Sequence, residues 1–251
     1  MRKLDILTSA LCSSSRAWSG IRSPVAGIAP RETLHLYDIE GCPFCRLVRE
    51  ALTELDLDAV IYPCPKGGRR FRPEVAKRGG QQQFPFLYDP NTKLEMYESV
   101  EIIRYLYQTY GERSLPLKWR FDRLQKIDSA LASGFRGRRG LRAAPSRRPT
   151  ELLELYSFEA SPFARPVREL LCELEIPYIL RSCGRSRLDE WLPPPLRQRF
   201  GIVPKSERHN RVELQQREGR VAIPFLRDPN TDTALFESGA IIEYLRTTYA
   251  R

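Results

Sequence analysis

The chain has 251 residues, of which 41% are hydrophobic and 29% are charged, and its formal net charge is +10. No stretch approaches the roughly 18 consecutive apolar residues of a membrane-spanning helix, so the composition argues against a membrane partner. Its six cysteines are too few for a disulfide-stapled scaffold, which favours a reducing compartment: a cytoplasm, or alternatively an organelle stroma.

The N-terminal segment, residues 1–32, has two competing interpretations. It is basic, rich in serine and poor in acidic residues, a composition that suits an organellar transit peptide. However, its Ser-Ala-Leu sequence at 9–11 recurs at 129–131, and its Arg-Gly spacing at 16–20 recurs at 136–140. A targeting sequence that is removed by cleavage is not expected to recur in the middle of the chain. We therefore predict a structural helix followed by an extended arm, with a targeting segment as the alternative.

The most informative motif is the sequence GCPFCRLVR at 41–49, which recurs as ASPFARPVR at 160–168 without either cysteine. In both copies a short apolar run precedes the motif and an apolar pattern of helical spacing follows it, which predicts a strand, a tight turn and a helix. Proline at the first helical position would place Cys42 at the N-cap of that helix. Backbone N–H groups and the positive end of the helix dipole favour a thiolate there.

A second block, FPFLYDPNT at 84–92, recurs as IPFLRDPNT at 223–231, and each copy is followed by a Glu-Ser pair and a helical apolar pattern. The second copy is longer between Cys183 and Val221, where we predict a helix and a surface loop. The repeats predict two domains, each large enough for its own core. The predicted limits are 1–32 for the first helix and arm, 33–115 for the first domain, 116–150 for a second helix and an Arg-rich linker, and 151–251 for the second domain.

Taken in order, these motifs resemble the glutaredoxin branch of the thioredoxin fold and the N-terminal domain of glutathione S-transferases. The likeness covers about residues 33–111 and 151–250, and it is specific because the motifs occur in the same order twice. It implies an α/β protein made of two tandem thioredoxin-fold domains, each preceded by a helix and an extended arm.

The resemblance also implies roles for individual residues. Cys42 would be the nucleophile and Cys45 the resolving thiol. Glutathione would be bound by Phe84, Pro85, Glu98 and Ser99. Of these, Pro85 would be a cis-proline, the residue before it would offer its backbone to the cysteinyl part of glutathione, and the Glu-Ser pair would hold the γ-glutamyl end. The corresponding positions of the second domain are Ser161, Ile223, Pro224, Glu237 and Ser238.

On this basis the first domain is predicted to be a glutathione-dependent thiol-disulfide oxidoreductase, with glutathione as its cofactor and a disulfide or glutathionylated thiol as its substrate. The second domain would be a degenerate copy. One alternative is glutathione conjugation or isomerisation at Ser161 or Cys42, although the helical domain of transferases is replaced here by a second copy of the first. Another is a non-catalytic glutathione-binding module, or one in which Cys42 ligates an iron-sulfur cluster between two chains. A homodimer is compatible with each.

Other features of the sequence have structural interpretations. The spacing of Cys42 and Cys45 matches half of a zinc site, but no second pair accompanies it, so no metal is predicted. Cys64 and Cys183, at equivalent positions of the repeats, are expected to be small buried residues, with a third redox thiol or an interdomain pair as the alternatives. Serine is a preferred N-cap, so the serines of both Glu-Ser pairs are also expected to cap helices.

The positive charge is concentrated in the linker, which holds six arginines between 136 and 148 without an acidic residue. A solvated linker with a general attraction for anionic ligands is the favoured interpretation, and nucleic acid is disfavoured because no recognition motif accompanies the charge. Arg46 and Arg49, one turn into the first motif helix, are expected either to add positive potential near the thiolate or to face solvent.

Overall fold

A computed structural model of the chain describes residues 3–112, 114–116, 119, 136, 139–191, 196, 199–202 and 206–251. The helix predicted around residues 129–131 lies outside these ranges.

From its first strand onward, each half contains the same order of strands and α-helices. The first half has α1 (Lys3–Ser14), β1 (Leu34–Asp38), α2 (Pro43–Leu55), β2 (Ala59–Pro63), α3 (Arg72–Gly79), β3 (Phe86–Asp89), β4 (Leu94–Tyr97) and α4 (Ser99–Thr109). The second half has β5 (Leu153–Ser157), α5 (Arg165–Glu173), β6 (Tyr178–Ser182), a 3-10 helix (Leu188–Trp191), α6 (His209–Glu218), β7 (Phe225–Asp228), β8 (Thr233–Phe236) and α7 (Ser238–Tyr249). From β1 and from β5 onward, both halves follow a βαβαββα order, of which the motifs predicted the first strand, the helix after it and the final helix.

The eight strands found among the described residues belong to one sheet, in the order β4-β3-β1-β2-β6-β5-β7-β8. Within each half the first two strands are parallel and the last two run antiparallel to their neighbours. The halves join through β2 and β6, which pair antiparallel with Val60 opposite Ile179. These two residues are equivalent in the repeats, so an approximate twofold axis passes between them. The pairing also removes the exposed edge that β2 or β6 would otherwise present.

The apolar core does not divide at the boundary between the halves. The largest cluster of buried apolar residues includes side chains of α2, α4, β1 and β2 together with side chains of α5, α7, β5 and β6. The sequence predicted a separate core for each unit, but the shared sheet lets the two cores merge. The polar side of α2 is buried as well, because residues Cys45–Leu55 are covered on every face of the helix.

The two extended arms cross to the opposite half. The N–H of Ala160, in the second motif, donates to the carbonyl of Gly20 in the first arm at 3.1 Å. The N–H of Gly41, in the first motif, donates to the carbonyl of Gly140 in the second arm at 3.2 Å. Gly20 and Gly140 both have positive φ, +76° and +65°, which only glycine adopts at little cost. Each motif turn is therefore held by the arm that precedes the other domain.

Candidate functional site

Three strand ends bring the predicted site residues of the first half to one edge of the sheet. Cys42 follows the end of β1, and Pro85 precedes β3, which runs antiparallel to β1. Glu98 follows the end of β4, which runs antiparallel to β3 and hence parallel to β1. The topology thus gathers residues that lie far apart in the sequence.

Cys42 is the N-cap residue of α2, as predicted, with Pro43 in the first turn. Its side chain is partly buried. A hydrogen bond from the Cys45 thiol is the main cause that lowers the pKa of Cys42 to about 7, against the opposing effect of burial. Two backbone N–H groups of the first turn and the charge of Arg49 lower it further. An appreciable fraction of Cys42 is therefore thiolate at neutral pH, the form that acts as a nucleophile.

Cys45 has the opposite properties. It is fully buried, and burial, together with donation of its thiol hydrogen to Cys42, raises the pKa of Cys45 well above its ordinary value. Its sulfur accepts the N–H of Ile39 at 3.4 Å. The pair therefore consists of one accessible sulfur that ionises readily and one enclosed sulfur that stays protonated.

The peptide bonds Phe84–Pro85 and Ile223–Pro224 are both cis, the geometry expected at these positions. Beside the first, the guanidinium of Arg72 lies 4.8 Å from the centroid of the Phe84 ring. Arg72 also donates to the carbonyl of Cys64 at 2.9 Å. These contacts fix a cation next to the residue that precedes the cis-proline.

Glu98 is exposed and has a φ of +67°, which is rare for a residue with a side chain. Its carboxylate accepts a short hydrogen bond from the side-chain amide of Gln83. An unfavourable backbone conformation of this kind is often found at functional sites. Glu98 rather than Ser99 is the N-cap of α4, and it makes no side-chain capping bond.

The predicted capping role of the two serines is wrong in both halves. Ser99 and Ser238 are the first residues within α4 and α7, and both are buried. In each half the preceding glutamate, which has a positive φ, occupies the N-cap position instead. The helix therefore begins one residue earlier than the capping preference of serine suggests.

The second half keeps the backbone of the site but not an accessible nucleophile. Glu237 is exposed with a φ of +68°, like its counterpart in the first half. Ser161, which replaces Cys42, is only 1% exposed, and its hydroxyl accepts the N–H of Ala164 at 3.1 Å. This turn is followed by α5 only at Arg165, whereas α2 begins directly after Cys42.

A cluster of buried charges lies beneath both motif turns. Its members are Arg16, Arg46, Arg49, Arg136, Arg165, Arg168, Asp38, Glu40, Glu50, Glu159 and Glu169, all less than a tenth exposed. Arg49 lies 2.9 Å from Glu159 and 3.3 Å from Glu40. Arg168 reaches the same two carboxylates at 3.0 and 3.1 Å. Since Glu40 and Arg49 belong to one half and Glu159 and Arg168 to the other, ion pairs cross the interface in both directions.

The arms complete this buried charge cluster in the same symmetric way. Arg16 pairs with Glu50 of α2 at 2.6 Å, and Arg136, its repeat equivalent, pairs with Glu169 of α5 at 2.5 Å. Although burial alone would raise it, the pKa of Glu159 is held below its usual range by Arg168 and Arg49. Glu159 is therefore an ionised partner of these two arginines, which is the condition under which buried charges are tolerated.

The expectation that Arg46 and Arg49 face solvent is wrong, because both are buried. The expectation of a solvated linker is wrong at Arg136, which is also buried. Helical arginines are normally exposed, but here the second half covers the polar side of α2. Arg49 does lower the pKa of Cys42, as the other interpretation expected. A signal was present in the sequence: the charges at 40, 46, 49 and 50 recur at 159, 165, 168 and 169, although the cysteines between them do not.

The remaining predictions concern cysteine, metals and membranes. Cys64 and Cys183 are buried, as expected, and burial raises the pKa of both thiols. Within the residues that the structure describes, no group of three or more histidine, cysteine or acidic side chains could hold a metal ion. The helices described there include none long and apolar enough to cross a membrane.

Comparison with known families agrees with the internal repeat. The family model described as glutathione S-transferase, N-terminal domain, matches the chain over residues 36–114 and again over 155–251. Together these ranges make up more than half of the chain, and each corresponds to one half of the sheet. Searches of the curated proteins and of the solved structures found no match.

Proposed function

Because the chain belongs to the glutathione S-transferase N-terminal domain family and contains that domain twice, we propose that its first half is a glutathione-dependent thiol-disulfide oxidoreductase. The observation that carries the proposal is the asymmetry of the cysteine pair. Cys42 is accessible with a pKa of about 7, while Cys45 is buried and protonated. A nucleophile and a resolving thiol need this division of properties.

In the first step the Cys42 thiolate attacks one sulfur of the substrate's disulfide. A bond forms between the two sulfurs as the substrate's S–S bond breaks, and the departing sulfur leaves as a thiolate that takes a proton from water. When the substrate is a glutathionylated thiol, the sulfur attacked is that of glutathione. Cys42 is then held in a mixed disulfide, and the substrate is released as a free thiol.

In the second step the mixed disulfide on Cys42 is cleaved by another thiol. If Cys45 attacks, the products are a Cys42–Cys45 disulfide and the second substrate thiol, and two glutathione molecules are then oxidised to restore both cysteines. If Cys42 carries glutathione and free glutathione attacks, the S–S bond to Cys42 breaks, Cys42 returns as thiolate and one oxidised glutathione is released. The burial of Cys45 favours the second route for small glutathionylated substrates, since glutathione can reach the partly exposed Cys42.

The groove beside Cys42 contains groups that suit glutathione. The exposed carboxylate of Glu98, oriented by Gln83, would bind the ammonium of the γ-glutamyl end. The N-terminus of α4, which begins at Ser99, would bind its carboxylate. The backbone of Phe84 would bind the cysteinyl part, as the resemblance implies. The second half has the same groups at Ile223, Pro224, Glu237 and Ser238, so we propose that its groove can also bind glutathione, without chemistry.

We further propose the domain limits 33–115 and 151–251, with 1–32 and 116–150 as the arms that exchange between them. The alternative of transferase chemistry at Ser161 is disfavoured, because the Ser161 hydroxyl is buried and accepts a backbone N–H. A transferase that used Cys42 would instead form no mixed disulfide.

The proposal is tested with the full chain and a short neutral glutathionylated peptide, in the presence of glutathione and a coupled glutathione reductase. We expect turnover, and Cys45→Ser treated with the glutathionylated peptide alone, without free glutathione, should retain glutathione on Cys42, which mass spectrometry detects. Turnover that persists in Cys42→Ser would contradict the oxidoreductase function. A wild-type chain that conjugates glutathione to an electrophile but does not release the peptide thiol would replace it with the transferase alternative.

A further inference from the structure

Exposed cations that the buried charge cluster does not use lie on two neighbouring segments. Lys66 and Arg69 follow β2, and Arg142, Arg147 and Arg148 belong to the linker. The segments are joined by backbone hydrogen bonds, from the N–H of Lys66 to the carbonyl of Leu141 at 2.7 Å and from the N–H of Ala143 to the carbonyl of Lys66 at 3.0 Å. These five cations form one surface, which we call the basic surface.

The charge of the basic surface is not neutralised locally. Among the residues that the structure describes, none of its five members forms an ion pair with a carboxylate, in contrast to the arginines of the buried cluster. The neighbouring carboxylate of Glu175 is buried and accepts the backbone N–H groups of Arg69 and Arg70 at 3.2 and 3.0 Å. The surface therefore presents uncompensated positive charge to solvent.

This surface adjoins the reactive cysteine. Gly41, directly before Cys42, donates its N–H to Gly140, and a Cβ at Gly41 would lie 2.7 Å from the Leu141 side chain. Arg142, a member of the basic surface, directly follows Leu141. At the other end of the basic surface, the guanidinium of Arg148 lies 5.8 Å from the centroid of the Phe71 ring. Phe71 directly precedes Arg72, whose guanidinium stacks on the Phe84 ring. The basic surface thus extends from the backbone directly before Cys42 to the Phe71–Arg72 segment beside Phe84.

We infer that the basic surface binds an acidic segment of a protein substrate and presents that substrate's disulfide or glutathionylated thiol to Cys42. The inference rests on the proposed function and names its substrate class. Uncompensated cations beside a nucleophile select partners of opposite charge and speed their encounter. A protein segment suits this surface better than single-stranded nucleic acid, because the nearby rings are not free for base stacking: Phe71 is buried and Phe84 is covered by Arg72.

The test uses the full chain carrying Cys42→Ser, so that binding is measured without reaction. Fluorescence anisotropy compares peptides of equal length with acidic, neutral or basic flanks, and a single-stranded oligonucleotide of similar length. The surface variant is Lys66→Gln, Arg69→Gln and Arg142→Gln. The control variant is Lys93→Gln, Arg31→Gln and Arg227→Gln, which removes the same charges from exposed positions at the opposite edge of the sheet.

We expect the acidic peptide to bind about tenfold more tightly than the neutral one, as a few exposed charge contacts allow. The preference should vanish in the surface variant, persist in the control variant, and weaken as ionic strength rises. Equal binding of acidic and neutral peptides, or equal loss in both variants, would overturn the inference. An oligonucleotide that binds more tightly than the acidic peptide, and loses binding in the surface variant, would also overturn it and assign the surface to nucleic acid.

An activity measurement separates failure of this inference from failure of the proposed function. Otherwise wild-type chains reduce glutathionylated peptides with acidic or neutral flanks. The inference expects kcat/KM for the acidic peptide to fall about tenfold in the surface variant, while the neutral peptide is reduced at an unchanged rate. No reduction of either peptide by the wild type would refute the oxidoreductase itself. Reduction of both with no effect of the surface variant would refute only the docking surface.

Discussion

The two motif turns occupy equivalent places in the fold and have different chemistry. Both follow the first strand of a half, both are held by a glycine of the opposite arm, and both lie above the same buried charge cluster. In the first turn the sulfur of Cys42 is partly exposed at the start of a helix. In the second, the Ser161 hydroxyl is buried and bonded to the backbone. The second copy has therefore lost the nucleophile while keeping the charges that hold the copies together.

This difference indicates why a cysteine-free copy is retained. Glu159 of the second half lies 2.9 Å from Arg49 of the first, and Arg49 acts on the pKa of Cys42. The second half also supplies β6, which covers the edge of β2. It is a structural partner of the half that contains Cys42, whether or not its own Glu237 and Ser238 bind glutathione.

The largest expected effect separates the two motif positions directly. Cys42→Ser should lower kcat/KM for a glutathionylated peptide by about a thousandfold or more, because it removes the nucleophile. Ser161→Ala is the matched change in the second half and should leave the rate nearly unchanged. A coupled glutathione reductase assay measures both. Equal losses in the two variants would contradict the assignment of chemistry to the first half.

The next effect concerns stability. Glu159→Ala leaves buried arginines with one carboxylate fewer, and breaking a buried ion pair costs about 3–5 kcal/mol of unfolding free energy. Glu101→Ala removes an exposed pair with Arg104 and should cost less than about 1 kcal/mol. Urea denaturation followed by circular dichroism measures both, and a single transition is expected because sheet and core are shared. Similar costs for the two variants would show that the buried charge cluster does not hold the halves together.

A smaller effect distinguishes the two grooves. Glu98→Ala should raise the KM for glutathione about tenfold, because that factor corresponds to the binding free energy lost with one hydrogen bond to a charged group. Glu237→Ala, the same change in the second half, should leave that KM unchanged. Calorimetry on the full chain then reports whether the second half binds glutathione: two sites are expected in the wild type, and one of them should be about tenfold weaker in Glu237→Ala. A single site in the wild type that is unchanged in Glu237→Ala and weakened in Glu98→Ala would show that the second half does not bind glutathione.

The smallest effect sharpens the role of Cys45. Its thiol is the main cause that lowers the pKa of Cys42, so Cys45→Ala should raise that pKa and slow alkylation of Cys42 at neutral pH. Cys183→Ala, a buried cysteine of the second half, serves as the control and should change nothing. Glutathione should sustain partial turnover in Cys45→Ala, since it can resolve the mixed disulfide. Complete loss of turnover would show that resolution requires the second cysteine.

The sequence predicted the local structure well because strands, turns and helices are encoded in nearby residues. The apolar runs before each motif, the proline after Cys42 and the duplicated Glu-Ser pairs located β1, α2, α4 and their repeats. The pairing of β2 with β6 could not be predicted in this way, since periodicity identifies a strand but not its neighbour across a domain boundary.

The buried polar groups were the other failure of prediction. Arg46 and Arg49 were expected to be near the thiolate or in solvent, and only the packing of α2 against the second half shows that they are enclosed. Asp89 precedes the hairpin turn and accepts the N–H of Asn91 at 2.8 Å, but the sequence does not show that it is buried and also accepts hydrogen bonds from the hydroxyls of Tyr105 and Tyr110. Its repeat equivalent, Asp228, accepts from two tyrosines in the same way. Burial of a polar side chain depends on partners that come from distant segments.

The ionisation of Cys42 tests the central claim most directly. The ultraviolet absorbance of thiolate is followed against pH in the wild type and in Cys42→Ser, and the difference between them isolates one sulfur among the six cysteines. The fraction of thiolate should rise with pH through a midpoint near the pKa of about 7, so Cys42 would be largely ionised in mildly alkaline solution. A midpoint at the ordinary thiol value of about 8.5 would contradict the assignment of Cys42 as the nucleophile.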